Sequence, residues 1–281
     1  MIPAAFDYHR PTSVDDALSA LSNGGGAKVI AGGQSLLPLL KLRLASTDRL
    51  VDIGRLAELR GLREQPDGGF ETGALTTYAD VIAGTRLGWV AEAVEGIGDV
   101  QVRNRGTVGG SIAHADPASD LPAIALALDY SAVLRSSRGE RVVALDEFFE
   151  GPFQTAIEPD ELLVAIRRGP LPGGAAGAYR KLAQPASGYS IVGVAVVVAR
   201  DGGTIGHARV ALTGVGDHPY RAKSVEDALV GSDGSPESVA AAAEHAADGQ
   251  SVNGDIHADR EYRSRMAVVY TRRAIEAALG R

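Results

Sequence analysis

Ala31-Gly32-Gly33-Gln34-Ser35-Leu36-Leu37-Pro38 and Gln101-Val102-Arg103-Asn104-Arg105-Gly106-Thr107-Val108-Gly109-Gly110-Ser111 are the two stretches that decide how this chain is read. Each has a glycine pair flanked by a hydroxyl side chain, and each leads into helix-prone residues. Glycine lets successive N–H groups converge and lets a ligand approach the main chain. Two such turns in one domain are able to cradle the two phosphates of one dinucleotide. Taken singly, each glycine pair is also read as a plain tight connection. The dinucleotide pattern G-x-G-x-x-G is missing, so a nicotinamide site of that type is not supported.

The elements around these turns set the architecture. Ser13 and Asp16 stand at capping-box spacing, and Val14, Ala17, Leu18 and Leu21 fall on one helical face. Gly24-Gly25-Gly26 is expected to stop that helix. Strands are expected over 28–31 and 49–53, with a short helix or irregular segment over 36–44 between them. This β–turn–α–β opening points to a small α/β unit. Pro66-Asp67-Gly68-Gly69 separates two strand-like runs and marks a hairpin. Helices are expected after Thr77, over 89–94 and over 121–128, and the polar stretch 99–105 leads to the second glycine turn. Strands follow at 132–135, 141–144 and 162–167. Pro170 to Gly177 has the composition of a linker. Beyond it come strands at 179–182, 191–200 and 205–212, then helices near 222–229, 236–247 and 260–279. In the last helix Tyr262, Met266, Val269 and Arg273 recur at helical spacing.

Composition narrows the function. The 281 residues carry a net charge of −7, which does not favour nucleic acid. There is no cysteine, hence no thiol nucleophile and no cysteine-ligated iron–sulfur cluster on this chain. The six histidines have no ligand-like spacing, so no metal is expected. No serine sits in a G-x-S-x-G elbow, and hydrolysis is poorly supported. The longest apolar run, Ile191 to Ala199, is too short to span a bilayer, and the N-terminus lacks a signal-peptide pattern. A cytoplasmic protein is expected.

Several side chains have two readings. Ser35 either caps the following helix or donates to a phosphate oxygen. Asp120 either caps the helix that begins at Leu121 or accepts hydrogen bonds from ligand hydroxyls. Arg103 and Arg105 either pair with phosphate or a partner or remain solvated. Lys181 is either solvent-exposed or a cation beside a flavin ring, where it would favour the reduced anion. Tyr189 either anchors its own loop or stacks on a ring.

The chain resembles the medium subunits of molybdenum hydroxylases, which include aerobic carbon monoxide dehydrogenase and its xanthine dehydrogenase-type relatives. The resemblance rests on both glycine stretches, on Lys41-Leu42-Arg43, on Phe6-Asp7-Tyr8 with Arg10-Pro11, and on Tyr179-Arg180-Lys181 through Val192-Gly193-Val194-Ala195. It covers essentially the whole chain. It implies an α+β protein: a two-subdomain FAD-binding domain of the vanillyl-alcohol-oxidase (PCMH) type, over 1–55 and 56–170, and a smaller C-terminal α+β domain over 176–281. By motif match, FAD would be contacted by Val29, Ile30, Ala31, Gly32, Gly33, Gln34, Ser35 and Leu36. Thr107, Val108, Gly109, Gly110, Ser111 and Asp120 would complete the match, together with Ile97, Leu162, Lys181 and Tyr189. Gln34 stands where some relatives have histidine. The resemblance also implies two partners, a large molybdopterin subunit and a small subunit with two [2Fe–2S] clusters, in a dimer of heterotrimers. Electrons would pass through those clusters to FAD and on to an external acceptor, with no catalytic acid or base on this chain. A stand-alone flavin oxidase and a flavin-free scaffold subunit are the alternatives.

Overall fold

The computed structural model describes residues 2–22 and 26–281. Its first elements are β1 (Asp7–His9), α1 (Val14–Ser22), β2 (Ala27–Ile30), α2 (Leu36–Lys41) and β3 (Arg49–Asp52). The three strands are parallel, in the order β1-β3-β2. α1 buries Val14, Ala17, Leu18 and Leu21, the stripe its sequence spacing requires. Its cap is half of the expected box. Ser13 Oγ accepts the Asp16 N–H at 3.1 Å, but the Asp16 carboxylate turns to the Thr12 N–H and to His9. The glycine stop expected after α1 falls mostly on 23–25, outside the described residues. β1 carries no strand signal: it is three residues long, and Asp7 and Tyr8 are exposed.

A 3-10 turn at Ala57–Leu59 leads to β4 (Leu62–Glu64) and β5 (Phe70–Gly73), the expected hairpin. Five helices follow: α3 (Tyr78–Gly84), α4 (Gly88–Glu95), α5 (Val100–Arg103), α6 (Val108–His114) and α7 (Asp120–Ala127). Thr77 and Asp80 form a complete capping box at α3. The stretch 99–105, read as merely polar, contains α5, because the Asp99 carboxylate accepts the Val102 N–H at 2.8 Å. α7 is apolar all round and every one of its residues is buried, as such a helix demands. Next come β6 (Ser131–Ser136), β7 (Gly139–Ala144), α8 (Leu145–Phe148), β8 (Phe149–Gly151), β9 (Gln154–Thr155) and β10 (Leu162–Arg168). The second sheet runs β4-β5-β10-β6-β7, and β8 and β9 pair with each other.

The third sheet holds β11 (Ala176–Ala183), β12 (Ser190–Asp201), β13 (Thr204–Thr213) and β14 (Tyr220–Arg221) in that order, all antiparallel. β12 is buried on both faces through its middle because α7 packs on the sheet and so does a C-terminal helix. The last helices are α9 (Lys223–Leu229), α10 (Pro236–Ala243) and α11 (Arg260–Ala278). α11 is the long helix expected from the spacing of Tyr262, Met266, Val269 and Arg273, and its fully buried face is made of other residues. It buries Arg263, Ala267, Thr271, Ala274, Ile275 and Ala278. Small alanines let the helix lie close to the sheet, and the larger Tyr262 is left 44% exposed.

Candidate functional site

A cavity of about 620 Å³ separates the first sheet from the helices beside the second. That is within the range of small-molecule and cofactor sites, about 300–1,000 Å³. Both glycine turns line it. They also touch each other: a Cβ on Gly32 would lie 2.1 Å from the Arg105 carbonyl oxygen and 3.0 Å from the Gly106 α-carbon. Glycine at 32 therefore lets the two turns meet.

The first turn follows β2 directly. Gly33 sits in the left-handed region at φ +76°, which glycine reaches without a Cβ penalty. Its carbonyl accepts the Leu37 N–H at 3.1 Å and starts α2. Among the described residues, the N–H groups of Gly32, Gly33, Gln34 and Ser35 have no hydrogen-bond partner in the chain. Ser35 occupies the N-cap position of α2 without making a side-chain cap bond. Its hydroxyl is thus uncommitted. The Gln34 amide reaches back to the Gly32 carbonyl at 3.4 Å.

The second turn is a helix start. Thr107 caps α6 by accepting the Gly110 N–H at 3.1 Å. The Val108 N–H donates to Thr76 and the Gly109 N–H to Ala74, at 2.9 and 2.8 Å. A Cβ on Gly109 would lie 2.5 Å from that of Ala74, so this glycine serves close packing of α6 on its neighbour. Ser111 Oγ bonds Ser119 Oγ at 3.0 Å. The Tyr78 phenol, which lines the cavity, is pushed up to about 12 by burial, so it is a neutral group at physiological pH.

Asp120 is the first residue of α7 rather than its cap; Ser119 holds the cap position. Its carboxylate reaches the cavity wall but is already engaged. One oxygen accepts from Tyr179 at 2.5 Å and Ser190 at 2.7 Å, and the other accepts from Lys181 at 3.0 Å. Lys181 also donates to the Gly96 and Gly188 carbonyls at 3.0 Å each, which uses its three protons. It stands behind Asp120, off the cavity wall, and ties three segments together. Burial, reinforced by Asp120, pushes the Tyr179 phenol well up. Tyr189 lines the cavity while 45% exposed.

Of the residues that the motif match assigns to FAD, all line this cavity except Val108 and Lys181, and of the two arginines read as possible phosphate partners neither does. Val108 faces the other side of α6, into the core. Arg103 does not face a ligand: it donates to the Ile97 and Gly98 carbonyls at 3.1 and 2.9 Å and braces the turn that carries Ile97. Arg105 contributes its carbonyl at the meeting of the turns. Sequence reasoning missed Tyr78, His114 and the wall formed by Thr155, Ile157 and Glu158. Tyr78 falls in the helix expected after Thr77, and burial holds the His114 imidazole below its usual value. The wall runs from the end of β9 into the irregular segment before β10 and is fixed from afar. Arg141 grips Glu161 with two bonds of 2.7 Å, and Glu161 accepts the Glu158 N–H at 2.9 Å. The only local cue is Glu158-Pro159-Asp160, a turn signal with no functional content. Among the described residues, no helix is long and apolar enough to cross a membrane.

Residues 4–168 match the family described as the FAD binding domain in molybdopterin dehydrogenase. Residues 177–278 match the CO dehydrogenase flavoprotein C-terminal domain. The carbon monoxide dehydrogenase medium chain of Hydrogenophaga pseudoflava is 40% identical over 100% of this chain and 99% of its own length. Caffeine dehydrogenase subunit beta of a Pseudomonas species is 35% identical over 100% of this chain and 97% of its own. Among solved structures, carbon monoxide dehydrogenase from H. pseudoflava superposes with a TM-score of 0.96 at 42% identity, covering 100% of this chain and 99% of that one. Quinoline 2-oxidoreductase from Pseudomonas putida 86 gives a TM-score of 0.91 at 33% identity, covering 100% and 99%.

Proposed function

Because the chain belongs to the family of FAD-binding medium subunits of molybdenum hydroxylases, we propose that it holds FAD between its two glycine turns and relays electrons from a partner to an external acceptor. It is an oxidoreductase subunit, and FAD is its cofactor.

The observation that carries the site assignment is the meeting of the turns, with uncommitted N–H groups at 32–35 facing a cofactor-sized cavity. That donor set fits a pyrophosphate: four peptide N–H groups and one serine hydroxyl, with no carboxylate in the turn. FAD supplies the redox chemistry when bound, and the protein supplies binding, orientation and electrostatic tuning. In this reading Gly32 to Leu36 bind, Thr107 to Ser111 shape the opposite wall, and Val29, Ile30, Ala31, Ile97 and Leu162 provide apolar contact. Lys181 and Asp120 fix the Gly188 carbonyl and so set where Tyr189 stands. No proton-transferring residue is required of this chain.

The FAD-binding part is of the vanillyl-alcohol-oxidase (PCMH) type, in units 1–55 and 56–170, with 176–281 as the C-terminal domain. The named relatives are medium chains and subunits of larger enzymes. The partners are then a large molybdopterin subunit and a small [2Fe–2S] subunit, in a dimer of heterotrimers that we take to be cytoplasmic. Relatives named for carbon monoxide, caffeine and quinoline share this fold, so the substrate is chosen on another chain.

The test is a visible absorption spectrum of the purified chain and of its complex, before and after adding FAD and desalting. Flavin bands that survive desalting support the reading. An assembled complex without flavin bands contradicts it and leaves a scaffold subunit in its place.

A further inference from the structure

A second cavity of about 170 Å³ lies on the far side of α6, between the second sheet and α3, α4 and α7. It is separate from the larger one: Val108 lines the small cavity, and its neighbours Thr107 and Gly109 line the large one. Its floor is aliphatic, formed by Val90, Leu121, Ile124, Leu128 and Ile166. A dry cavity of roughly 150 Å³ with such walls accepts a benzene ring.

The mouth has a different chemistry. Arg168 stands there with its guanidinium 5.5 Å from the Phe70 ring centre and 5.8 Å from that of Tyr130. The two rings hold the guanidinium in place at the entrance. One terminal nitrogen donates to the Gly169 carbonyl at 2.9 Å. The Nε–H is buried and has no partner among the described residues. The other terminal nitrogen makes no hydrogen bond among the described residues and is the charged donor that a carboxylate at the mouth would meet. The other charges at the mouth cancel, since Arg86 pairs with Glu64 at 2.5 Å. One cation remains, so a monoanion is matched and a phosphate dianion would also meet Glu64.

We propose that this cavity is a binding site for a monocarboxylate with an apolar body about the size of a benzene ring, its carboxylate gripped by Arg168. The site lies outside the FAD cavity and does not rest on the FAD reading.

The probe is 4-fluorobenzoate, titrated into the purified full chain and followed by fluorine NMR, with and without saturating FAD. The expected result is saturable binding of one equivalent, unchanged by FAD and weakened at least tenfold in Arg168→Gln. Neutral 4-fluorobenzyl alcohol is expected to bind at least tenfold more weakly than the carboxylate. Ala125→Leu, which fills the cavity and keeps the guanidinium, is expected to abolish binding. If a variant does not fold, the comparison of carboxylate with alcohol on the wild-type chain decides alone. Equal binding of the two, no saturable binding, or displacement of the probe by FAD overturns the proposal.

Discussion

In the first glycine turn, the N–H groups of Gly32, Gly33, Gln34 and Ser35 donate to nothing in the described chain, whereas in the second every N–H from Val108 to Ser111 is taken. The acceptors there are Thr76, Ala74 and both the hydroxyl and the carbonyl of Thr107. Two stretches that read alike are therefore built for different work. The first presents polar backbone to the cavity. The second uses glycine for close packing, at Gly109 against Ala74, and presents hydroxyls and a fixed wall. A Gly-Gly pair beside a hydroxyl residue is a statement about approach distance, and what approaches can be a ligand or the protein's own backbone.

Substitutions separate the two roles. The largest effect is expected at Gly32→Ala, whose methyl would collide with the backbone carbonyl of Arg105. That contact cannot be relieved by a rotamer change. A loss of about 3 kcal/mol in unfolding free energy is expected, together with loss of FAD retention. A Gly32→Ala chain with wild-type stability and normal flavin would show that the turns need not touch.

Gly33→Ala comes next. Its positive φ costs an alanine ~1–2 kcal/mol, and the Cβ would press on Leu37 and Ile30 side chains at 3.0 and 3.2 Å. FAD binding is expected to weaken about tenfold, measured by flavin fluorescence titration. Ser35→Ala sharpens the contrast, because that hydroxyl makes no cap bond. Stability should stay within about 0.5 kcal/mol while FAD affinity falls about tenfold, the worth of one charge-assisted bond. Thr107→Ala should do the reverse: it removes the α6 cap, costs about 1 kcal/mol in chemical denaturation, and leaves FAD affinity nearly unchanged.

The smallest effect concerns the third wall. Hydrogen bonding from Arg141 holds the Glu161 carboxyl below its ordinary value of 4.5. A carboxyl depressed in the folded state stabilises above its unfolded value and loses that contribution as pH falls through the folded one. The melting temperature should therefore fall more steeply below pH 4.5 in the wild type than in Arg141→Gln. Parallel profiles would remove Glu161 from the account.

Sequence alone reached the two turns because glycine pairs beside strands leave a local mark. It also reached the strands that feed them. What it missed depends on distant partners. α5 exists because of one carboxylate, Asp99, within a stretch that reads as polar loop. The wall at Thr155 to Glu158 is set by Arg141 of β7, and the turn signal at Glu158-Pro159-Asp160 does not announce it. The spacing of Tyr262, Met266, Val269 and Arg273 gave α11 as a helix but not its buried face, which close packing assigns largely to alanines. Lys181 read either as solvent-exposed or as a cation beside a flavin ring; the oxygens that claim it include those of Gly96 and Asp120, from segments remote in sequence.

Amide hydrogen exchange on the chain with and without FAD tests the division of labour most directly. The N–H groups of residues 32–35 should exchange fast without FAD and slow at least tenfold when it is bound. Those of residues 108–111 should already be slow and change little. Equal protection of both turns without FAD, or FAD binding that leaves residues 32–35 unprotected, would contradict the account.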